Sequence, residues 1–598
     1  MAWSCSCSPA AARPSSRGPR EARANLLGRR GNVPDDLPAL SFSFPAGPDV
    51  LSWRDWTPEA FALARASARP VLLVVGGLWD GADARLEAAL ADPRLPSLVA
   101  GRLVAVRVDA DERPDVAARY GPAPAVLALT PDGEPFDRAA PDAEAVITLA
   151  TSALARWDGD REDVLSEAET ARITRAAARA AGAHRRSAGA LAPSVLDIAL
   201  DVIDALEDAD AATSPETGRL WRYAHHRRRT PGAIERARAV AGAALARASR
   251  PGTVCRAGDM GDALLLVAEL AREDAELAES FRGTVEETAA FLDVALGDSG
   301  GGIRHALPPA GAPVFARSCA QAARGLIEAG AAFDRRDWTA RGLRAVEFIV
   351  YRMHAGEAGV YHAWDGDLRG LGLLGDQVHT LLALLTAYEV SGVGLYLDRA
   401  RSLARLLERG WWERGHGFLD TGEWHEEIGL LAEPLVPFAL NVAAAEGFLW
   451  LSRLTHDDRY IELATETLAA IAPGYEMRGR DVASFARVVD RTLTAEPEVK
   501  VVGEFPAGEP DRVADPLHRA ALRLAVPART VQRLALTADA DLLRDLGLPL
   551  DRPRVAYVCS GRDCSAPISD AEALASAAYA LVGFGDFARD DGGADHPD

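Results

Sequence analysis

The sequence predicts a multidomain protein, part α/β and part all-α: a compact α/β unit, then paired helices closing into a toroid, then a small terminal α/β lobe. Three observations predict it. Residues 70–136 alternate short apolar strands with helical segments and turns. From about residue 193 to 490, apolar residues recur only at helical spacing. Within that stretch Gly301-Gly-Ile-Arg-His305, Gly359-Val-Tyr-His-Ala-Trp364 and Gly417-Phe-Leu-Asp-Thr421 begin 58 positions apart, the mark of a repeated supersecondary unit.

In chain order, residues 1–48 read as a disordered or extended tail, Ser/Arg/Pro-rich and nearly free of acids over 1–32. Residues 1–32 lack the apolar core of a secretory signal. Residues 49–157 form the first α/β unit. Thr57-Pro58-Glu59 starts a helix, with Thr57 as N-cap and Pro58 at the first helical position. Pro70-Val-Leu-Leu-Val-Val-Gly76 is a buried strand, 103–109 a second, and 125–129 a third after Tyr120-Gly-Pro-Ala-Pro124. This order matches a thioredoxin fold. A thioredoxin places Trp-Cys-x-x-Cys after the first strand; here stands Leu78-Trp79-Asp80-Gly81-Ala82-Asp83, without cysteine. Pro124 falls where the cis-proline shapes a thioredoxin's substrate groove. A carboxylate at Asp80 or Asp83 cannot attack a disulfide, so thiol exchange is not expected.

Residues 158–192 read as a polar linker helix. Over 193–493, helical periods fall at 195–206, 233–248, 263–270, 278–296, 316–331, 339–350, 376–390, 395–407, 435–454 and 459–471, with a last one near 481–493. Short connections make consecutive helices antiparallel. Five to six hairpins result, and six close into an (α/α)6 toroid whose inner-helix loops rim a central cavity; an open solenoid is the alternative. Residues 494–598 hold strands at 499–503, 530–536 and 554–558, a helix at 515–524 and an acidic tail.

Composition narrows the function. A net charge of −21 leaves no basic stripe to neutralise phosphates, which argues against nucleic acid. Lys500 is the sole lysine, so arginine supplies almost all positive charge. No apolar run reaches the roughly 18 to 20 residues that span a bilayer. Six cysteines in 598 residues are no disulfide framework, and a cytoplasmic location is expected. Cys559 and Cys564 are the one close thiol pair that sequence places in a folded region. Loop thiols, a reversible disulfide or part of a metal site with His518 all remain open readings, though two thiols alone are too few for structural zinc.

Several segments together resemble the YyaL/spermatogenesis-associated thioredoxin-domain family, in particular its shorter, divergent archaeal-type members. They are Trp53-x-x-Trp56 with Glu59-Ala-Phe61, Val108-Asp-Ala-Asp-Glu-Arg-Pro114, Leu129-Thr-Pro-Asp-Gly133, Leu373-Leu-Gly-Asp-Gln377, Pro434-Leu-x-Pro437 with Asn441, and Tyr557-Val-Cys-Ser-Gly-Arg-Asp-Cys-Ser-Ala-Pro567. The likeness covers about residues 50–585. It implies a thioredoxin-like domain beside a six-hairpin glycosidase-like domain, with no established reaction. The departures are the missing Cys-x-x-Cys and a missing Lys-Phe-Pro segment, in whose region Trp221-Arg-Tyr-Ala-His-His-Arg-Arg-Arg229 stands.

Chemistry is therefore expected in the toroid. Sugar hydrolysis or epimerisation needs carboxylates or histidines at the cavity and aromatics to stack on the ring. The rim offers His305 and Asp420, and Asp376 begins an inner helix behind it; these are the candidate catalytic residues. Arg304, Tyr361, Trp364, Gln377 and Asn441 are candidate substrate contacts. Asp376 has an alternative role as a helix N-cap, and Asn441 as a partner for buried backbone. Trp79, Asp80, Asp83 and Pro124 mark the degenerate redox site. No metal or cofactor is called for. The expected function is a protein, redox-inactive at its thioredoxin site, that binds or processes a small carbohydrate in the cavity. The alternative is a non-catalytic scaffold that takes a peptide or protein partner at the thioredoxin-like groove.

Overall fold

A computed structural model describes residues 51–77, 84–185, 191–206, 213–248, 256–306, 312–422, 426–494, 496–504, 516–551, 554–560 and 563–581. Trp79, Asp80 and Asp83 lie outside the described residues, as do Glu423, Trp424 and Cys255.

The N-terminal unit begins with α1 (Pro58–Ser67), whose N-cap Thr57 accepts a hydrogen bond from the Ala60 amide. There follow β1 (Val71–Gly76), α2 (Ala84–Leu90), α3 (Leu95–Val99), β2 (Val104–Asp109), α4 (Pro114–Tyr120), β3 (Ala125–Leu129), β4 (Pro135–Ala139) and α5 (Ala143–Gly159). The sheet order is β2-β1-β3-β4: β1 is parallel to β2 and antiparallel to β3. This is the βαβ-plus-ββα connectivity of the thioredoxin fold. Every residue of β1 is buried, since helices cover both faces, which is why it reads as an unbroken apolar run. The Ala123–Pro124 peptide bond is cis. Helix α6 (Arg161–Arg185) then leads away.

Twelve helices form the toroid. The inner ones are α8 (Pro215–Arg228), α10 (Ala257–Leu270), α12 (Ala316–Ala332), α14 (Leu374–Ser391), α16 (Phe438–Thr455) and α18 (Val482–Leu493). Each packs on the next and α18 packs back on α8, so the ring is closed and the open solenoid is excluded. The outer helices are α7 (Ser194–Asp204), α9 (Ala233–Ala248), α11 (Ala275–Ala290), α13 (Arg336–Arg352), α15 (Gly394–Gly410) and α17 (Asp458–Ile471). Outer helices such as α15 carry one buried stripe, whereas α14 is buried over nearly its whole length.

The 58-residue period has a physical basis. Each Gly-led segment lays its backbone on the first turn of the next inner helix. Gln377 accepts from the Val360 amide at 2.8 Å and donates to the Val360 carbonyl at 2.9 Å. Asn441 treats Phe418 identically, at 2.6 and 2.8 Å. Gly359 and Gly417 have φ of +92° and +96°, and a Cβ on either would sit 2.5 Å from the amide oxygen of Gln377 or Asn441. Glycine is required there on both counts.

The C-terminal lobe comprises β5 (Glu498–Gly503), α19 (Pro516–Leu522), β6 (Thr530–Ala535), α20 (Ala540–Asp545), β7 (Val555–Ser560), β8 (Asp563–Cys564) and α21 (Ala571–Leu581). Its sheet order is β6-β5-β7-β8, with β5 parallel to β6 and antiparallel to β7. The connectivity is that of the N-terminal unit, repeated. Cys559 and Cys564 face each other across the β7–β8 hairpin and are joined by a disulfide, so they are paired strand residues rather than loop thiols. His518 is not beside them: its Nε2 bonds the Glu389 carbonyl on the toroid at 2.9 Å.

Candidate active site

The rim residues singled out from sequence are drawn together, but by the N-terminal unit. His305, His362 and Asp420 hold equivalent places in three repeats: their carbonyls accept the amides of Ala257, Ala316 and Leu374, the first residues of α10, α12 and α14. Their side chains meet the β2–α4 segment of the thioredoxin-like unit. His305 Nε2 lies 3.3 Å from an Asp111 carboxylate oxygen, and Nδ1 is 3.0 Å from Ser318 Oγ. His362 Nε2 donates to the Asp111 carbonyl and Nδ1 to Asp376 Oδ2, both at 2.9 Å. Arg119 grips the Asp420 carboxylate with both terminal nitrogens and the Glu433 carbonyl beside it.

Both ring nitrogens of His362 face oxygen acceptors, an arrangement that favours the charged imidazolium. Burial opposes the charge, yet the Asp376 carboxylate outweighs it and raises the His362 pKa above the usual value. Burial likewise pushes the Asp111 carboxyl upward, but His305 and Arg256 hold it below its ordinary range. The toroid reciprocates with Ile428, Leu430 and Leu431, which enter the apolar cluster of Trp56, Phe61 and Tyr120.

These contacts reassign the sequence candidates. His305 and Asp420 are docking sockets buried at the interface. Asp376 is neither free nor the cap of its own helix: its Oδ1 accepts the Arg317 amide at 3.0 Å, capping the neighbouring α12. Gln377 and Asn441 are committed to backbone, as above. Trp364 packs edge-on against Phe348 of outer helix α13, and Arg304 pairs with Asp298 at 3.3 Å. Tyr361 is half-buried beside His362.

The toroid axis holds a different constellation, contributed by all six inner helices: Glu216 (α8), Asp262 (α10), Arg317, Gln321 and Arg324 (α12), His379 (α14), Glu446 (α16) and Arg487 (α18). Helices α10 and α12 approach so closely that a Cβ on Gly261 would lie 2.3 Å from the Gln321 carbonyl oxygen. That approach lets Gln321 Nε2 donate to Asp262 Oδ2 at 2.7 Å. At the inner-helix N-termini Asp259, Arg317 and Ala439 are exposed. Deeper, a cavity of about 80 Å³ is bounded by Arg219, Arg324, Glu446, Trp450 and Arg487 and floored by 526–529 of the C-terminal lobe.

Electrostatics separate two of these groups. Burial, with Glu216 and Asp259 nearby, pushes the Asp262 carboxyl up to about 7. Burial and the guanidinium groups of Arg317 and Arg324 push His379 well below its usual pKa. At neutral pH the lumen therefore holds a half-protonated carboxyl and a neutral imidazole, the states suited to proton donation and acceptance. Glu446 is the opposite case: burial disfavours its charge, but Arg487, Arg219, Arg324 and Arg491 overwhelm that and hold it deeply ionised.

Among the described residues no group of three or more His, Cys, Asp or Glu is placed to hold a metal ion, and no described helix is long and apolar enough to cross a membrane. No curated protein matches the chain. Among solved structures, an unsaturated glucuronyl hydrolase specific for heparin is similar at 12% identity and TM-score 0.41, over 50% of this chain and 95% of its own. A D-mannose isomerase aligns at 14% identity and TM-score 0.38, over 44% and 75%. An unsaturated glucuronyl hydrolase from Bacillus sp. GL1 aligns at 15% and 0.38, over 47% and 85%. Residues 46–170 match the family described as Thioredox_DsbH, protein of unknown function, DUF255. The chain thus joins a thioredoxin-like domain, similar over residues 46–170 to the Thioredox_DsbH family, to an (α/α)6 toroid and a small C-terminal α/β lobe.

Proposed function

We propose that the axial lumen of the toroid binds a carbohydrate or similar polyol and transforms it by general acid–base chemistry. Asp262 is the proton donor and His379 the acceptor. Gln321 orients Asp262, while Arg324, Glu446 and Trp450 supply polar and stacking contacts. The observation that carries this reading is the toroid axis, on which all six inner helices place a polar or charged side chain, Gln321 holds Asp262 at 2.7 Å and two titratable groups are shifted apart.

The test is turnover and binding by the whole chain against a panel of hexoses, pentoses and uronates, followed by NMR. Asp262→Asn and His379→Gln are expected to abolish turnover while leaving the fold intact. Turnover that survives both substitutions rejects the assignment. A second reading, a non-catalytic scaffold, draws support from the α/β units docked at both toroid ends. It predicts no ligand-dependent change in melting temperature with any sugar at millimolar concentration.

A further inference from the structure

The charge of the ligand follows from two arginines on the same axis, and the inference rests on the acid–base reading. Arg317 and Arg324 stand two helical turns apart on α12, along one face of the lumen. Among the described residues the Arg317 side chain has no hydrogen-bond or ion-pair partner, and it is exposed at the mouth. Arg324 makes no hydrogen bond. It approaches Glu446 only to 3.8 Å, stands 5.7 Å from the Trp450 ring centroid, and its Nε is buried without a partner.

Glu446 leaves the Arg324 donors without a hydrogen bond. Its carboxylate is shared with Arg219 and Arg487 at 3.8 Å and with Arg491 at 3.3 Å; those three also hold nearer carboxylates at Glu216, Glu269 and Glu496, whereas Arg324 has only the 3.8 Å approach. Asp262 makes no ion pair with Arg317, and its carboxyl is only half ionised at pH 7. Two cations thus face a narrow polar lumen with donors unspent. Guanidinium donors in such a setting are satisfied by planar or tetrahedral oxyanions, which accept two parallel N–H bonds.

We propose that the ligand is an acidic sugar, bearing a carboxylate or a phosphate that Arg317 and Arg324 clamp while its hydroxyls face Asp262 and His379. The anion enters past Arg317, which is exposed, and settles against Arg324, which is not. Trp450, deeper on the axis, lines the chamber below.

The experiment is isothermal titration of the full chain at pH 7 with four probes: D-glucuronate, D-glucose 6-phosphate, D-glucose and inorganic phosphate. One of the two acidic sugars is expected to bind at least tenfold tighter than glucose, and which one does so identifies carboxylate or phosphate as the anion. Arg324→Met and Arg317→Met are each expected to erase most of that tenfold preference. Arg317 is exposed, so its variant keeps the test valid should Arg324→Met fail to fold. Glucose binding as tightly as the acidic sugars overturns the charge inference and leaves the carbohydrate reading standing. Inorganic phosphate binding as tightly as the sugar phosphate overturns it as well, by showing a bare anion site. Binding of none of the four overturns both.

Discussion

The N-terminal and C-terminal α/β units share one strand order and dock on opposite ends of the same toroid, but they hold it by different chemistry. The N-terminal unit meets the inner-helix N-termini through charged side chains on both partners: Asp111 with His305, and Arg119 with Asp420. The C-terminal unit meets the inner-helix C-termini, where toroid arginines donate to lobe carbonyls: Arg272 to Leu522 at 3.0 Å, and Arg222 to Ala525. Helix polarity explains the contrast. Inner-helix N-termini offer spare amides, which rim carbonyls and Asp376 consume, leaving the rim side chains to face outward. At the other end, cations suit the helix C-termini and reach across to the lobe.

The comparison can be broken most severely at Arg119. Arg119→Ala strands the Asp420 carboxylate at a buried interface, and loss of a buried pair costs roughly 3–5 kcal/mol. Calorimetry is expected to show the thioredoxin-like unit melting apart from the toroid, with the C-terminal lobe still cooperative with it; a single unshifted transition contradicts this. Removing the Cys559–Cys564 disulfide acts only on the other unit. For so short a loop, Cys559→Ser with Cys564→Ser is expected to cost about 2 kcal/mol. Hydrogen exchange should then rise in β7 and β8 and stay unchanged in β1–β4; a rise in both units refutes their independence.

A smaller effect separates the two faces by pH. His362 has its pKa raised in the folded state, so its contribution is complete below about 6.5, the unfolded value, and is lost as pH climbs through the folded one. Glu389, which accepts from the Trp450 indole and the Val531 amide at the C-terminal face, is pushed up to about 7 by burial. Its cost therefore grows between roughly pH 4.5 and 7 and is complete above that. Hydrogen exchange at residues 428–431 should respond to pH above 6.5 and at 521–526 below 7. His362→Gln is expected to abolish the first response and Glu389→Gln the second; a crossed pattern contradicts the assignment.

Much of this architecture is legible in the sequence because glycine and burial leave local marks. Gly359 and Gly417 recur since only glycine tolerates both the positive φ and the amide pressed against it. Strands β1 and β3 read as apolar runs since both their faces are covered. Helix α8 is hidden for the converse reason. Its buried face includes Arg219, Arg222 and His226, which pair with glutamates on the axis, so hydrophobic periodicity reports a polar loop. Asp262 and His379 escape notice similarly, as isolated polar residues inside otherwise apolar helices. The spacing Arg317-x3-Gln321-x2-Arg324 on one inner helix was the available signal, and it outlines the lumen. The rim residues looked catalytic because a loop before an inner helix is where a cavity opens. Nothing in the sequence reveals that another domain covers that loop.

The central claim is that ligand chemistry belongs to the axial lumen rather than to the rim or the thioredoxin-like site. It is tested most directly by ligand-dependent thermal shift of three proteins: the natural chain, His379→Gln in the lumen and His305→Gln at the rim. With a sugar that stabilises the natural chain, the stabilisation is expected to disappear in His379→Gln and to persist in His305→Gln. Loss in His305→Gln with retention in His379→Gln would contradict the account.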